Sequence, residues 1–297
     1  GKTIVPPQAF GDTLLDLAKA ANDLGHLPQS SALAKLIEGR SASDAAKTLA
    51  KAFADAGSDA VIVLGETALD HPRASAIRAA ARFLAKATGA ACNEIPSGAN
   101  AIGLTHAGAQ PRAGGRDAAA MLARPPKTLV VYQAGSQDTS APAAFDAART
   151  NASFCVYIGA YACNGVKRTA HAVLPIGLPP ETDGTYTNVD GIEQSLDVAA
   201  KAPGDAKPGW RVLRQLGAVL GLPHFDFTQM HELRAQMAKA DAPMGAATGR
   251  IADAPSTSAK FTRVATTAIY RADAVLRRAP ALQAHPLSRP ACVTLHP

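Results

Sequence analysis

Apolar positions recur at helical spacing from Phe10 to Leu24, through Leu14, Leu17, Ala18 and Ala21, and Gly25 supplies a stop. Leu27–Arg40 repeats the pattern more weakly and can end at Gly39. Ser41-Ala42-Ser43-Asp44 then opens a helix with a hydroxyl at the N-cap and an acid three positions on. Leu49 and Phe53 fall on its inner face, and Gly57 ends it. The period changes at Ala60–Leu64, a continuous apolar, β-branched run of the kind found in a parallel strand covered on both faces. Thr128–Tyr132, Phe154–Ile158 and Ala172–Ile176 follow the same rule. Between them lie a helix introduced by His71-Pro72, from Arg73 to Thr88 with Ile77, Ala81 and Leu84 inward, and another at Ala141–Arg149. This order predicts an α/β fold: a Rossmann-like parallel sheet with flanking helices and right-handed crossovers.

Two stretches break the alternation. Gly89–Lys127 is rich in Gly, Ala and Pro and reads as a long loop, the type that is functional or shared with an interface. Glu181–Gln194 holds two Asp-Gly pairs, Asp183-Gly184 and Asp190-Gly191, on either side of the β-prone Thr185–Val189. That pattern predicts a tight ribbon with positive-φ turns. Beyond it, Trp210–Leu220 is a short amphipathic helix through Leu213, Leu216 and Leu220. Gly245–Ser258 reads as a connector, Phe261–Leu276 fits helix or extended chain equally, and the tail from Pro280 is mostly irregular. The organisation expected is a lead-in helical segment over 1–40, a Rossmann-like domain over 41–223 and a partly irregular C-terminal segment over 224–297.

The chain has 297 residues, enough for one large or two ordinary domains with a sizeable core. Aromatic residues make up only 5%, and much of the apolar content is Ala, which favours helices packed closely through small side chains. No run reaches the ~18–20 apolar residues of a membrane span, and Gly1–Phe10 lacks a signal-peptide pattern, so a cytoplasmic chain without membrane insertion is expected. The net charge is +6, but the positives are dispersed (Arg112 and Arg116, Lys167-Arg168, Arg277-Arg278), and no stacking platform accompanies them. Nucleic acid is therefore not an expected partner.

The four cysteines (Cys92, Cys155, Cys163, Cys292) form no C-x-x-C pair and read as reduced thiols, with Cys155 a small hydrophobe inside a strand. No G-x-G-x-x-G follows the first strand. Gly98 and Gly103 have a Walker-type separation, yet Leu104-Thr105 replaces the Lys-Ser/Thr that phosphate binding requires. His231-Glu232 begins a zinc-protease pattern in which Ala235 stands for the second His. His171, at the start of a strand, reads as a satisfied structural histidine. Glu66 with Asp70, and Glu181 with Asp183, could pair as acid and base, although Asp183 is more simply a turn residue bonding its own backbone. Ser136, Ser153 and Ser195 lack a nucleophile-elbow setting. The residues yield no catalytic, cofactor-binding or metal assignment.

The run Val173-Leu174-Pro175-Ile176, then Glu181-Thr-Asp-Gly-Thr-Tyr-Thr-Asn-Val-Asp-Gly-Ile-Glu-Gln194, with Pro203–Trp210 and Val212–Gly217, resembles the molybdopterin-oxidoreductase family. Ile95–Gly103 is similar to that family's Gly-Ala-Asn-Ala-x-Gly loop. Within the family, these strings and Tyr270–Ala279 with Leu282-Gln283 are most similar to the large, 75 kDa-type iron–sulfur subunits of NADH:quinone oxidoreductase, respiratory complex I. The resemblance implies a scaffold that keeps the fold of pterin enzymes. Iron–sulfur clusters are expected only in an N-terminal part that this sequence does not contain, and no cofactor is expected in this chain. The final barrel-like portion of a full member is also missing from this sequence, which can be a fragment. It implies other subunits of the peripheral arm as partners, at the inner face of the bacterial cell membrane. Gln133-Ala134-Gly135-Ser136-Gln137-Asp138 departs from the family's Glu-Pro-x-x-Asp loop, which weakens a ligand role there. The alternative is a pterin- or nucleotide-binding half of a molybdopterin oxidoreductase. A stand-alone nucleotide-binding regulator would need a phosphate loop that the chain lacks.

Overall fold

The structure is a computed structural model, and it describes residues 4–111, 114–239, 251 and 268–288. The chain divides into two compact units, Gly1–Gly98 with Ala246–Thr267 and Ala99–Gly245 with Ala268–Pro297. The division falls inside the expected 41–223 segment, and the 1–40 segment is part of the first unit.

In unit 1, helices α1 (Phe10–Asp23), α3 (Asp44–Ala56) and α5 (Ala74–Thr88) pack with strand β1 (Val61–Leu64), α2 (Ser31–Ile37) packs on α1 and α5, and α4 (Glu66–Leu69) lies in the chain between β1 and α5. The core is built from small residues. Ala20, Ala21, Ala46 and Ala50 meet Leu17 and Leu84, and Ala18 and Ala80 meet Leu15, Leu33 and Ile37. Small side chains let the helices approach closely, and the two Leu–Ala layers remove their apolar surface from water. Gly25, Gly39 and Gly57 follow the ends of α1, α2 and α3 at positive φ, as the sequence predicts, and Gly89 caps α5 in the left-handed conformation.

Two details of α3 differ. Its N-cap is Ser43, whose hydroxyl accepts from Ala46 N, rather than Ser41. Leu49 is exposed, because the alanines at 46 and 50 and Phe53 define the inner face. Strand β1 pairs in parallel with β2 (Ala91–Glu94), an element that the expected Gly89–Lys127 loop concealed. Ala-Cys-Asn-Glu has no apolar run and no alternation strong enough to signal a strand. Nor is β1 covered on both faces: Ile62 and Leu64 pack inward, while Val61 and Val63 are about half exposed.

In unit 2, the former loop continues with α6 (Ala101–His106) and α7 (Ala118–Ala123). Strands β3 (Thr128–Tyr132), β4 (Phe154–Gly159) and β5 (Ala172–Pro175) form a three-stranded parallel sheet in the order β3-β4-β5, with α8 (Pro142–Asn151) and α9 (Asn164–Thr169) as crossovers. The parallel α/β class is therefore as predicted, but the four expected strands belong to two sheets, not one. Ile176 extends the second sheet by an isolated parallel bridge to Lys207.

The ribbon is an antiparallel pair, β6 (Gly184–Thr187) and β7 (Glu193–Leu196). Asn188 ties its turn, accepting from Asp190 N and Ile192 N at 2.9 Å, and Gly191 takes φ +79°. Only the second Asp-Gly pair makes a left-handed turn, since Gly184 is a strand residue.

Helix α10 (Gly209–Val219) forms where expected but packs differently, with Leu213 and Leu220 exposed. Its buried residues are Gly209 and Gly217, which admit the Tyr132 phenol and the Phe225 ring. Helix α11 (Met230–Lys239) follows. Residues 269–271 and 276–278 form single 3-10 turns, and Pro280 opens the short helix α12 (Pro280–Gln283). The expected Gly245–Ser258 connector, apart from Ile251, and the stretches 261–267 and 289–297 lie outside the described residues.

Candidate functional site

Parallel strands of one sheet end on the same edge, and in open α/β sheets ligands bind outside those carboxyl ends. In unit 2 the edge is formed by Tyr132, Gly159 and Pro175 and the loops that leave them. Gln133 turns out of β3 with φ +52°, rare for a residue with a side chain. Its amide still donates to Ile158 O at 2.8 Å, and its Nε2 reaches Gly177 O at 3.4 Å. The next turn is closed by Asp138, whose Oδ2 accepts from Gly135 N at 2.8 Å.

The other oxygen of Asp138 pairs with Arg277. Asp273 presents that arginine by capping a 3-10 turn, accepting from Val275 N at 2.7 Å and Leu276 N at 2.8 Å. Arg278, beside it, lies 4.3 Å over the Tyr161 ring. Tyr157 donates from its phenol to Tyr161 O at 3.0 Å, and burial pushes that phenol's pKa up. A Cβ on Gly159 would come within 2.6 Å of the Tyr157 ring, so β4 must end in glycine here.

What remains at the strand ends is a cavity of about 160 Å³ lined by Ser136, Tyr157, Cys163, Arg277 and Arg278 among others. Sites for drug-sized ligands and cofactors run to roughly 300–1,000 Å³.

The cysteines separate by environment. Cys155 is buried in β4 and its thiol is pushed up by burial. Cys92 moves the same way for the same reason. Cys163 is held below its ordinary value, first by the backbone N–H of Val166, then by that of Gly165, with Arg149 and Arg278 nearby and burial opposing them. Arg149 is 5% exposed, bonded to Asp146 and set over Phe145, a buried cation that no sequence pattern marks. Cys292 lies outside the described residues.

The two stretches that carry the resemblance meet. Asn100 donates from Nδ2 to Thr185 O at 3.2 Å and accepts on Oδ1 from Thr187 N at 2.8 Å, so one side-chain amide imitates a neighbouring strand along β6. A Cβ on Gly103 would fall 2.2 Å from Asn100 Oδ1; the second glycine of the pair makes room for that side chain, not for a phosphate. From the other side Arg234 donates to Thr185 Oγ1 at 3.0 Å and Gly184 O at 2.8 Å. Asp183 does not bond its own backbone as a turn residue; it accepts from Trp210 Nε1 at 2.7 Å. Glu181 accepts from Leu178 N at 2.8 Å. Both carboxylates of that candidate pair are thus spent on structure.

The remaining candidates scatter. Glu66 and Asp70 take opposite ends of α4. His171 accepts from Cys155 N at 3.0 Å and sits 5.2 Å from the Phe154 ring. Glu232 caps α11, and the N–H groups of Thr228 and Gln229 hold its carboxyl below the usual range. Ser136 lines the small cavity, whereas Ser195 lies in β7 and Ser153 precedes β4. Among the described residues no group of three or more His, Cys, Asp or Glu is placed to hold a metal ion, and no helix is long and apolar enough to cross a membrane.

A family model described as molybdopterin oxidoreductase matches residues 12–219. The chain is similar to the F420-dependent formate dehydrogenase 2 subunit alpha of Methanococcus maripaludis, 37% identical over 73 residues. It is also similar to the NADH-ubiquinone oxidoreductase 75 kDa subunit of Reclinomonas americana, 36% identical over 80 residues. A third relative, the mitochondrial NADH dehydrogenase [ubiquinone] iron-sulfur protein 1 of Solanum tuberosum, is 34% identical over 96 residues. These matches cover 24%, 26% and 32% of this chain and only 11%, 11% and 12% of the respective relatives.

Proposed function

The chain belongs to the molybdopterin oxidoreductase family, and we propose that it is a non-catalytic scaffold portion of the large iron–sulfur subunit of an NADH:quinone oxidoreductase. Other subunits of that enzyme's peripheral arm are its partners in this reading, and electron transfer from NADH to quinone is what it supports. The arm lies at the inner face of the cell membrane. The observation that carries the reading is the closure of the sheet's carboxyl edge by the chain's own residues. Arg277 on Asp138 and Arg278 over Tyr161 leave a cavity of about 160 Å³ where catalytic relatives would need a cleft. Similarity to two NADH-ubiquinone oxidoreductase subunits supports it. Metal analysis of the purified chain is the test: substoichiometric molybdenum and tungsten are expected, and one equivalent of either would refute the reading.

The similarity to a formate dehydrogenase alpha subunit favours a second reading, the pterin- or nucleotide-binding half of a molybdopterin oxidoreductase. That reading requires a guanine dinucleotide to raise the melting temperature of the chain. No shift at saturating ligand would dismiss it.

A further inference from the structure

Unit 1 contains a larger cavity, about 860 Å³, formed where the α1–α2 connection and the start of α2 face one side of α5. Its volume lies in the range of small-molecule sites. The α5 wall runs from Ser75 to Ala87, about 18 Å at the ~1.5 Å rise of a helix. Its floor is apolar: Ala79 and Phe83 pack with Ile251 against the cluster that contains Leu33. Its rim is basic, because Arg78, Arg82 and Lys86 repeat every fourth residue and so share a side of the helix.

Those cations are unequally matched. Glu94 takes Arg78 Nε and Arg82 Nη2, both at 2.8 Å, which holds the two guanidinium groups in place. Lys86 is exposed and, among the described residues, has no ion-pair partner. Three cations against one carboxylate leave a positive excess beside an apolar trough. Among the described residues that line the cavity, the ring side chains are Phe83 on α5 and His26 on the α1–α2 connection.

We propose that this cavity binds a single-chain anionic amphiphile, with its apolar body over Phe83 and Ala79 and its carboxylate or phosphate head between Lys86 and Arg82. The inference is independent of the scaffold reading, which concerns unit 2. It is tested by titrating the full chain with laurate and with dodecyl phosphate below micellisation, followed by calorimetry and native mass spectrometry.

A one-to-one complex is expected with at least one of the two, and the tighter binder identifies the head group. Dodecyltrimethylammonium, with the same tail and the opposite charge, is expected not to bind. Lys86→Glu, on an exposed site that leaves the core intact, is expected to weaken binding by about tenfold or more, as loss of a charged hydrogen-bond partner does. Ala79→Phe, checked for an unchanged melt, is expected to abolish binding by filling the trough. The proposal is overturned by absence of a complex with either anion, by equal binding of the cationic detergent, by Lys86→Glu binding as the parent does, or by preferential binding of ADP.

Discussion

Unit 1 and unit 2 each carry a parallel sheet, yet different interactions stabilise them. Unit 1 is a helix layer joined by alanine and leucine, with Ala18, Ala21, Ala50 and Ala80 fully removed from solvent. Its polar ties lie at the rim, as with Asp12, which accepts from both Arg40 and Arg73. Unit 2 adds to a smaller apolar cluster of Val131, Tyr157 and Val166 single polar side chains that reach positions distant in sequence, on backbone or on another side chain. Asn100 spans to β6, Trp210 to Asp183, Arg234 to Gly184 and Arg277 to Asp138. Burial of many small apolar groups is non-directional and tolerant, whereas a side chain substituting for a strand is irreplaceable at its one position. The second mode fixes individual loops at defined points.

The comparison breaks most visibly in the apolar unit. Leu84→Ala, at a residue 2% exposed, is expected to cost about 2–5 kcal/mol, read from urea unfolding. A cost below 1 kcal/mol would mean that the alanine layers are not the core that they resemble.

Gly209→Ala comes next, at about 1–3 kcal/mol. A Cβ there would lie 1.9 Å from the Tyr132 phenol oxygen. Tyr132→Phe removes that oxygen, so the double variant is expected to recover much of the loss. Equal melting of the single and double variants would show that α10 does not approach β3 through its glycine.

Asn100→Ala leaves the buried Thr187 N–H without its partner, a loss of about 1–3 kcal/mol. Faster hydrogen exchange is expected at the Thr187 amide, and unchanged protection would contradict the bridging role.

The smallest effect is electrostatic. Arg40 first, then Arg73, hold Asp12 below its ordinary carboxylate value of 3.8. A depressed folded-state pKa contributes stability that is present above the unfolded value and lost as pH falls through the folded one. Below about pH 4 the parent is therefore expected to lose stability more steeply than Asp12→Asn. Parallel acid melts of the two would argue against the ion cluster.

This contrast also explains how much was legible beforehand. Periodic patterns exposed α1, α3, α5 and the strands at 61, 128, 154 and 172, because burying an apolar face forces a repeat. The Asp190-Gly191 pair marked the hairpin turn, since only a few residue types adopt that conformation readily. Strand β2 had no such repeat. The partition of four strands into two sheets escaped because pairing is set by contacts between distant residues, and neither β1 nor β3 names its neighbour. Nor could spacing show that Asn100 bonds β6, that Arg234 clasps it from the far side, or that Arg277 closes the loop ending at Asp138. A lone polar residue carries no period; only the family-like strings around 95–103, 181–194 and 270–279 marked those regions as belonging together.

The central claim is that the chain's own Arg277 and Asp138 fill the carboxyl edge of the second sheet. The most direct test is a titration of the full chain with GDP, a stand-in for the nucleotide half of a pterin dinucleotide, followed by amide resonances of residues 135–138 and 161–166. The account predicts that these signals stay in place up to millimolar ligand. Saturable shifts confined to those loops would contradict it.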